Sequence, residues 1–169
     1  EFDRSSGSNV VLSAGNNKIF TGTTTLTDAT PGSYTITADN WKIVNFNEKA
    51  YLFQDSHAPL VYDGTSVVTL ASVSGAAGVV QGNEVCAAYG RLWVVGTGGN
   101  SSVVYWSDLL IGHDFSGGTS GSVDISKVWP DGHDEIVALA AHNGFLIIFG
   151  KHSIVVYSGA EAPATMALS

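Results

Sequence analysis

The side chains with the most chemistry to offer are acidic and fall in two groups, Asp108 with Asp114, and Asp131 with Asp134 and Glu135. Two carboxylates held about 5–9.5 Å apart can hydrolyse a glycosidic bond, one as acid and the other as nucleophile or base. The surrounding residues argue for a plainer use. In "SDLLIGHDF" (107–115) Ser and Asp can bond their own backbone and so make a turn. "PDGHDE" (130–135) lacks the alternating acidic ligands and the Gly placement of a calcium loop. The five histidines, His57, His113, His133, His142 and His152, include no i,i+4 pair on a helix and no His-x-His. His142 and His152 flank one hairpin, so they are the pair that folding could bring together, though both read as turn residues facing solvent.

Other motifs reduce to local structure in the same way. "GTGGN" (96–100) lacks the Lys-Ser/Thr of a phosphate loop and lies between two strands, so it reads as a hairpin loop. "SGGTSGS" (116–122) offers hydroxyls but no Gly-x-Ser-x-Gly elbow. Asn100-Ser101-Ser102 fits the glycosylation pattern without a secretory signal beside it. Trp93, Trp106 and Trp129 could line a carbohydrate or base-stacking surface, but aromatics at strand positions are usually core. With one cysteine, Cys86, there is no internal disulfide and no multi-cysteine zinc site. No catalytic, cofactor-binding or metal-binding residue is assigned, and no cofactor is expected.

The elements that carry these residues repeat. The unit is a strand, a tight turn, an aromatic or aliphatic strand, a gap and a further strand ending near Tyr. It reads "VNFNEKAYLF" then "PLVYDG" (44–64), "CAAYGRLWVV" then "SVVYWSD" (86–108), and "AAHNGFLIIF" then "SIVVYSG" (140–159). With Glu48, Gly90 and Gly144 in register, Tyr51 aligns with Trp93 and Ile147, and Tyr62, Tyr105 and Tyr157 fall near one another. A fainter copy, "GNNKIFTG" (15–22), aligns Lys18 with Lys49 and Arg91. Spacings of 31, 42 and 54 residues between turns are irregular but compare with propeller blades of about 40–50 residues.

Asn143-Gly144 suits a type I′ turn, which needs positive φ at both central residues. "SVVTLASVSG" and "GSVDISKVWP" offer an outer, fourth strand to a unit. Val, Thr, Gly and Ser abound and no apolar period of 3.6 is sustained, which predicts an all-β fold. Continuous apolar runs such as "FLIIF" predict strands covered on both faces by stacked sheets. The expected architecture is a β-propeller portion of antiparallel blades over residues 1–169, with units at roughly 10–40, 41–80, 81–130 and 131–169. A β-sandwich is the alternative.

Charged residues make up 13% of the chain, about half the usual share of about 25%, while apolar residues reach 44%. That balance suits an assembly component. Seven basic against 15 acidic residues, a net charge of −8, oppose tight binding to a nucleic-acid backbone. No apolar stretch reaches the roughly 18 residues of a membrane helix and no signal peptide opens the sequence, so a soluble protein is expected. A start at Glu1-Phe2 and an end at "ATMALS" suggest an internal piece of a longer protein.

The string from Tyr89 to Gly159 resembles the tail tubular protein B, or nozzle, family of short-tailed double-stranded DNA phages, related to packaged-DNA stabilisation proteins. "GRLWV" (90–94), "VYWSDLL" (104–110), "KVWPDGHDEIVAL" (127–139) and "LIIFGKHSIVVYSG" (146–159) carry the resemblance. It implies a non-enzymatic virion protein, assembled in the host bacterial cytoplasm, whose propeller belongs to a homo-hexameric ring below portal and adaptor. Its partners would be the adaptor, tail fibre or spike proteins, and packaged DNA that passes through the channel without sequence-specific binding or membrane insertion by this segment. The alternative expectation is a propeller-type carbohydrate-binding or glycan-hydrolysing tail protein, with Asp108, Asp114 or Asp131 in a pocket beside an aromatic platform.

Overall fold

The computed structural model describes residues 9–15, 17–37 and 40–169. The described residues fold as four antiparallel sheets that follow one another in sequence order. The first has three strands, β1 (Leu12–Gly15), β2 (Lys18–Thr21) and the two-residue β3 (Thr27–Asp28). The second comprises β4 (Lys42–Phe46), β5 (Lys49–Phe53), β6 (Leu60–Tyr62) and β7 (Val67–Thr69). The third comprises β8 (Gly82–Ala88), β9 (Arg91–Gly96), β10 (Val103–Trp106) and β11 (Gly121–Asp124). The fourth comprises β12 (Ile136–His142), β13 (Phe145–Gly150), β14 (Ile154–Ser158) and the two-residue β15 (Ala167–Leu168).

The all-β expectation and the repeated hairpins hold. Each sheet is a simple meander, so every ladder closes with a local turn and no crossover is needed. "SVVTLASVSG" and "GSVDISKVWP" supply the outer strands β7 and β11. Among the described residues, the first unit falls one strand short of the expected four. Its third strand pairs only at Phe20–Asp28 and Thr21–Thr27 before the chain leaves through Pro31, which has no N–H for a ladder.

The first turn in each of the last three sheets occupies the same register. Asn47-Glu48, Tyr89-Gly90 and Asn143-Gly144 all have positive φ at both residues, the type I′ geometry that matches strand twist. In the first sheet Asn17 is also at φ 61°, while Asn16 lies outside the described residues. Counting from these turns, Tyr51, Trp93 and Ile147 are equivalent: they pair with Val44, Cys86 and Ala140 of the preceding strand. Tyr62 and Tyr157 are equivalent too, facing Ala50 and Leu146. Tyr105 is two residues out of that register, facing Val94, and the matching place goes to Ser107.

Successive sheets stack through their faces. β4 adjoins β8, and β8 adjoins β12, so the first strands of three sheets form one inner side. Three apolar clusters fill the spaces between sheets. Ile19 meets Ala50, Leu52 and Leu60 between the first two sheets. Tyr51, Phe53 and Val61 meet Leu92 and Val94 between the second and third. Trp93, Val95, Val104 and Trp106 meet Leu146, Ile148, Val155 and Tyr157 between the third and fourth. β5 and β9 are therefore buried on both faces, as their unbroken apolar sequences predict.

β13 corrects that prediction. Leu146 and Ile148 are buried against the third sheet, but Ile147 and Phe149, on the opposite face, are part exposed. "FLIIF" is as apolar as β9 and covered on one side, because no described element packs on the other.

Candidate functional site

The most organised surface is the edge where the hairpin turns line up. It is built by side chains that cross from one sheet to the next. The Asn47 amide donates to the carbonyl of Leu110 at 2.7 Å, and Leu110 N–H donates to the carbonyl of Gly90 at 2.7 Å. Thus the 108–111 turn, which follows β10, is tied to the hairpins of the second and third sheets. Tyr89 makes the next tie: its hydroxyl donates to the Phe145 carbonyl at 3.0 Å and accepts from Gly144 N–H at 2.9 Å. At the other end of these strands, away from the turns, Lys42 and Glu84, 2.9 Å apart, link β4 to β8.

This edge presents an apolar tip. Leu109, Leu110 and Ile111 are exposed in sequence, Leu110 by 58%. Leu110 sits at φ 60°, a conformation that costs a branched L-residue about 1–2 kcal/mol. The hydrogen bonds to both of its peptide groups hold it there.

Two of the carboxylates expected as catalytic candidates, Asp108 and Asp114, are occupied in shaping loops. Asp108 Oδ1 accepts from the N–H of Leu109 and from the N–H and hydroxyl of Thr119, each at 2.8 Å. Asp114 Oδ1 accepts from Ser116 and Gly117 N–H at 2.9 and 2.8 Å. Their other oxygens lie against Gly117 and Gly118, where an added Cβ would come within 2.4 Å of Asp114 Oδ2 and 2.2 Å of Asp108 Oδ2. The glycines of "SGGTSGS" therefore make room for carboxylates. The bonds from Thr119 hold Asp108 below the ordinary carboxylate range, opposite to the upward shift a general acid needs.

Arg91 completes this loop from below. Its guanidinium is buried and donates to the carbonyl of Ser107 at 2.7 Å and the Thr119 hydroxyl at 2.7 Å. Burial lowers its pKa and the charge of Asp108 raises it.

Asp134 is the most enclosed carboxylate, at 4% exposure. It accepts from the backbone N–H groups of Glu135, Lys151 and His152 at 2.8, 3.0 and 3.0 Å, capping the β13–β14 turn. Burial opposes its ionisation, but the N–H groups of His152 and Glu135 outweigh that and hold it well below the usual range. Sequence reasoning grouped it with Asp131 and Glu135 and missed this role; the signal was the apolar Ile136 directly after the acidic pair, which places Asp134 at a strand entrance.

His142 and His152 do not meet. They stand at opposite ends of β13, His142 opposite Phe145 and His152 in the following turn beside Asp134 at 3.4 Å. A strand of six residues separates them. Among the described residues, no three His, Cys, Asp or Glu side chains converge as a metal site. Cys86 is half-buried, and burial pushes its thiol up to about 12, so it is not poised as a nucleophile.

The tryptophans belong to the core. Trp93 and Trp106 pack at 5.6 Å between the third and fourth sheets, their indole N–H groups donating to Ala88 and Thr119 carbonyls. Trp129 joins the same cluster. "GTGGN" is a hairpin loop between β9 and β10 with a short 3-10 turn at Gly98–Asn100.

Among the open clefts beside the third sheet, two are rich in polar groups. One, of about 500 Å³, is lined by Gln81, Thr97, Asn100 and Tyr105. The other, of about 320 Å³, brings Asp55, Asn83, His133 and Glu135 to one rim. No helix among the described residues is long and apolar enough to cross a membrane. No known family model and no curated protein matches the chain.

Proposed function

We propose that the chain is a structural, non-enzymatic component of a phage tail: a blade-forming section of the nozzle, part of a homo-hexameric ring that continues the DNA channel below portal and adaptor. The observation that carries this reading is the register-matched stacking of meander sheets, stitched at their turn edge by Asn47 and Tyr89. Such a series does its work by shape. Asp108, Asp114 and Asp134 are committed to backbone N–H groups, which supports assembly over catalysis. A net charge of −8 repels phosphate, so a channel wall of this composition conducts DNA without gripping it. Retention of the genome then falls to steric closure. The Tyr89–Gly159 resemblance names the family in which these properties are used together.

Cryo-electron microscopy of intact tails, with this chain tagged at an exposed loop such as Gly98–Gly99, tests the proposal. Density for the tag in a ring under the adaptor is expected. Its appearance on a peripheral fibre, or its absence from the particle, would remove the nozzle reading.

A second reading has one observation in its favour. The 500 Å³ cleft combines the amides of Gln81 and Asn100, the Thr97 hydroxyl and the Tyr105 ring, a set that suits a neutral sugar. Saturation-transfer NMR with host surface polysaccharide would reveal it, and Tyr105→Ala would abolish the signal.

A further inference from the structure

One of the repeated turns carries a chemically reactive pair. The sequence holds a single Asn-Gly, Asn143-Gly144, and it forms the turn between β12 and β13 with φ 48° and 81°. The carboxamide carbon of an asparagine lies within five-membered-ring reach of the next residue's backbone nitrogen. A glycine in that place has no side chain to hinder the approach and turns freely about φ and ψ. Asn143 is exposed, so water reaches it. The equivalent turns lack this combination: Asn47 is followed by Glu48 and its amide is bound to the Leu110 carbonyl, and the third sheet has Tyr89 in the same place.

The fold holds the pair in an unreactive geometry. A type I′ turn is the mirror of type I, so the Gly144 nitrogen stands nearly opposite Cβ across the Asn143 Cα–C bond. Ring closure needs that nitrogen on the Cβ side. Turning over the peptide between Asn143 and Gly144, which converts I′ into II′, brings it there. The same flip swings the Gly144 N–H away from its partner. That partner is Tyr89, whose hydroxyl accepts the N–H at 2.9 Å and donates to the Phe145 carbonyl at 3.0 Å. The Gly144 carbonyl in turn accepts from Ala160 N–H at 2.9 Å. Gly144 is therefore clamped at its N–H and at its carbonyl, and the clamp on the nitrogen comes from the neighbouring sheet.

We infer that Asn143 is a deamidation site gated by Tyr89: the turn is inert while the third and fourth sheets are tied, and it reacts with water when the tie opens. In the first step the Gly144 nitrogen bonds to Asn143 Cγ and gives up its proton. The Cγ–Nδ2 bond breaks, and Nδ2 leaves with that proton as ammonia. Water then adds to one carbonyl of the cyclic imide. Opening at the side-chain carbonyl gives aspartate, and opening at the main-chain carbonyl gives isoaspartate; nothing is oxidised or reduced. Isoaspartate lengthens the main chain by one carbon within a two-residue turn, so the Gly144 N–H no longer falls on the Tyr89 hydroxyl. Either product also adds a carboxylate near Glu161, whose Oε1 lies 3.3 Å from the position a Cβ on Gly144 would take. A transient opening between two sheets is thereby made permanent. The inference stands on the turn and its tie and does not rest on the tail reading, so either can fail without the other.

Peptide mapping by mass spectrometry of the 169-residue chain, held in mildly alkaline buffer and sampled over days, tests it. Asn143 should convert at least about 10-fold more slowly in the folded chain than in the same chain unfolded in urea, because reaction requires a local opening. Tyr89→Phe should raise the folded-state rate by about 5-fold, the gain in open population when a tie of ordinary net strength is lost. Asn47→Ala, which cuts the tie between the second and third sheets, should leave the Asn143 rate where it was. A further reading needs no variant: in urea below the unfolding transition, Asn143 conversion and hydrogen exchange at the Gly144 amide should rise in proportion, since both need that N–H released from Tyr89. Equal rates in the folded and unfolded chain, no response to Tyr89→Phe, an equal rise with Asn47→Ala, or conversion that does not follow Gly144 exchange would each overturn the inference.

Discussion

Tyr89 reaches across from the third sheet and holds Gly144 of the fourth: one hydroxyl receives the Gly144 N–H at 2.9 Å and gives its proton to the next carbonyl, that of Phe145. Tyr89 is itself a turn residue, at φ 53°. A residue in a disfavoured conformation at one hairpin thus fixes the position of the following hairpin, and the two turns behave as one unit. Asn47 and Leu110 make the corresponding tie between the second and third sheets.

Replacing Tyr89 with Phe keeps the ring and removes both bonds. The loss should be about 1 kcal/mol in urea unfolding, the usual net worth of such bonds where water can partly replace them. Hydrogen exchange offers the sharper reading: the Gly144 amide should exchange faster in the variant, while β5 amides of the second sheet stay protected.

Acid should loosen the fourth and first sheets through two carboxylates. Asp134 has a folded pKa held below the ordinary 3.8. Asp28 is lowered to about 2, chiefly by its bond to Lys18. A depressed folded pKa contributes stability that is complete above the unfolded value and disappears as pH falls through the folded one. Melting midpoints should therefore drop between about pH 4 and pH 2. Asp134→Asn should start lower at neutral pH and fall less steeply over that interval, as followed by circular dichroism.

Gly112 and Gly99 should respond oppositely to alanine. A Cβ on Gly112 would stand 2.5 Å from Tyr51 Cζ and 2.9 Å from Leu92 Cδ1, both in the core between sheets. Gly112→Ala should cost about 1–3 kcal/mol by overpacking. Gly99 has open space around it, so Gly99→Ala should stay within about 0.5 kcal/mol of the parent. Chemical denaturation of the two variants side by side checks both.

Leu110 should be improvable. Asn accepts the left-handed conformation that Leu110 holds at φ 60°, and its side chain here is exposed. Leu110→Asn should raise stability by about 0.5–1 kcal/mol. If instead stability falls by thermal denaturation, the exposed leucine makes a contribution that its conformational cost conceals.

Turn chemistry and strand composition are legible in the residues themselves. Asn143-Gly144 predicts its own turn type, because few residue pairs accept positive φ twice. The alignment of Tyr51, Trp93 and Ile147 holds because each lies three places beyond such a turn, and side chains in a strand alternate strictly. The Tyr105 alignment does not hold: β10 enters its sheet two residues later, and length in the 96–102 loop is free to absorb the difference. The occupation of Asp108, Asp114 and Asp134 is only partly legible. An Asp beside Ser or Gly announces a turn, but which backbone N–H groups it reaches depends on segments such as 119 and 151–152, distant in sequence.

By itself the sequence determined the kind of element: β-branched runs, tight turns and the absence of a helical period leave little but antiparallel hairpins. It also determined that one face of each central strand is apolar, since alternation is covalent geometry. Only the tertiary structure decided which of those faces is covered. "FLIIF" in β13 and "LWVV" in β9 are equally hydrophobic, and burial depends on whether another sheet lies within contact distance, a property of the neighbour and not of the strand. The same holds for His142 and His152, which a rigid six-residue strand keeps apart.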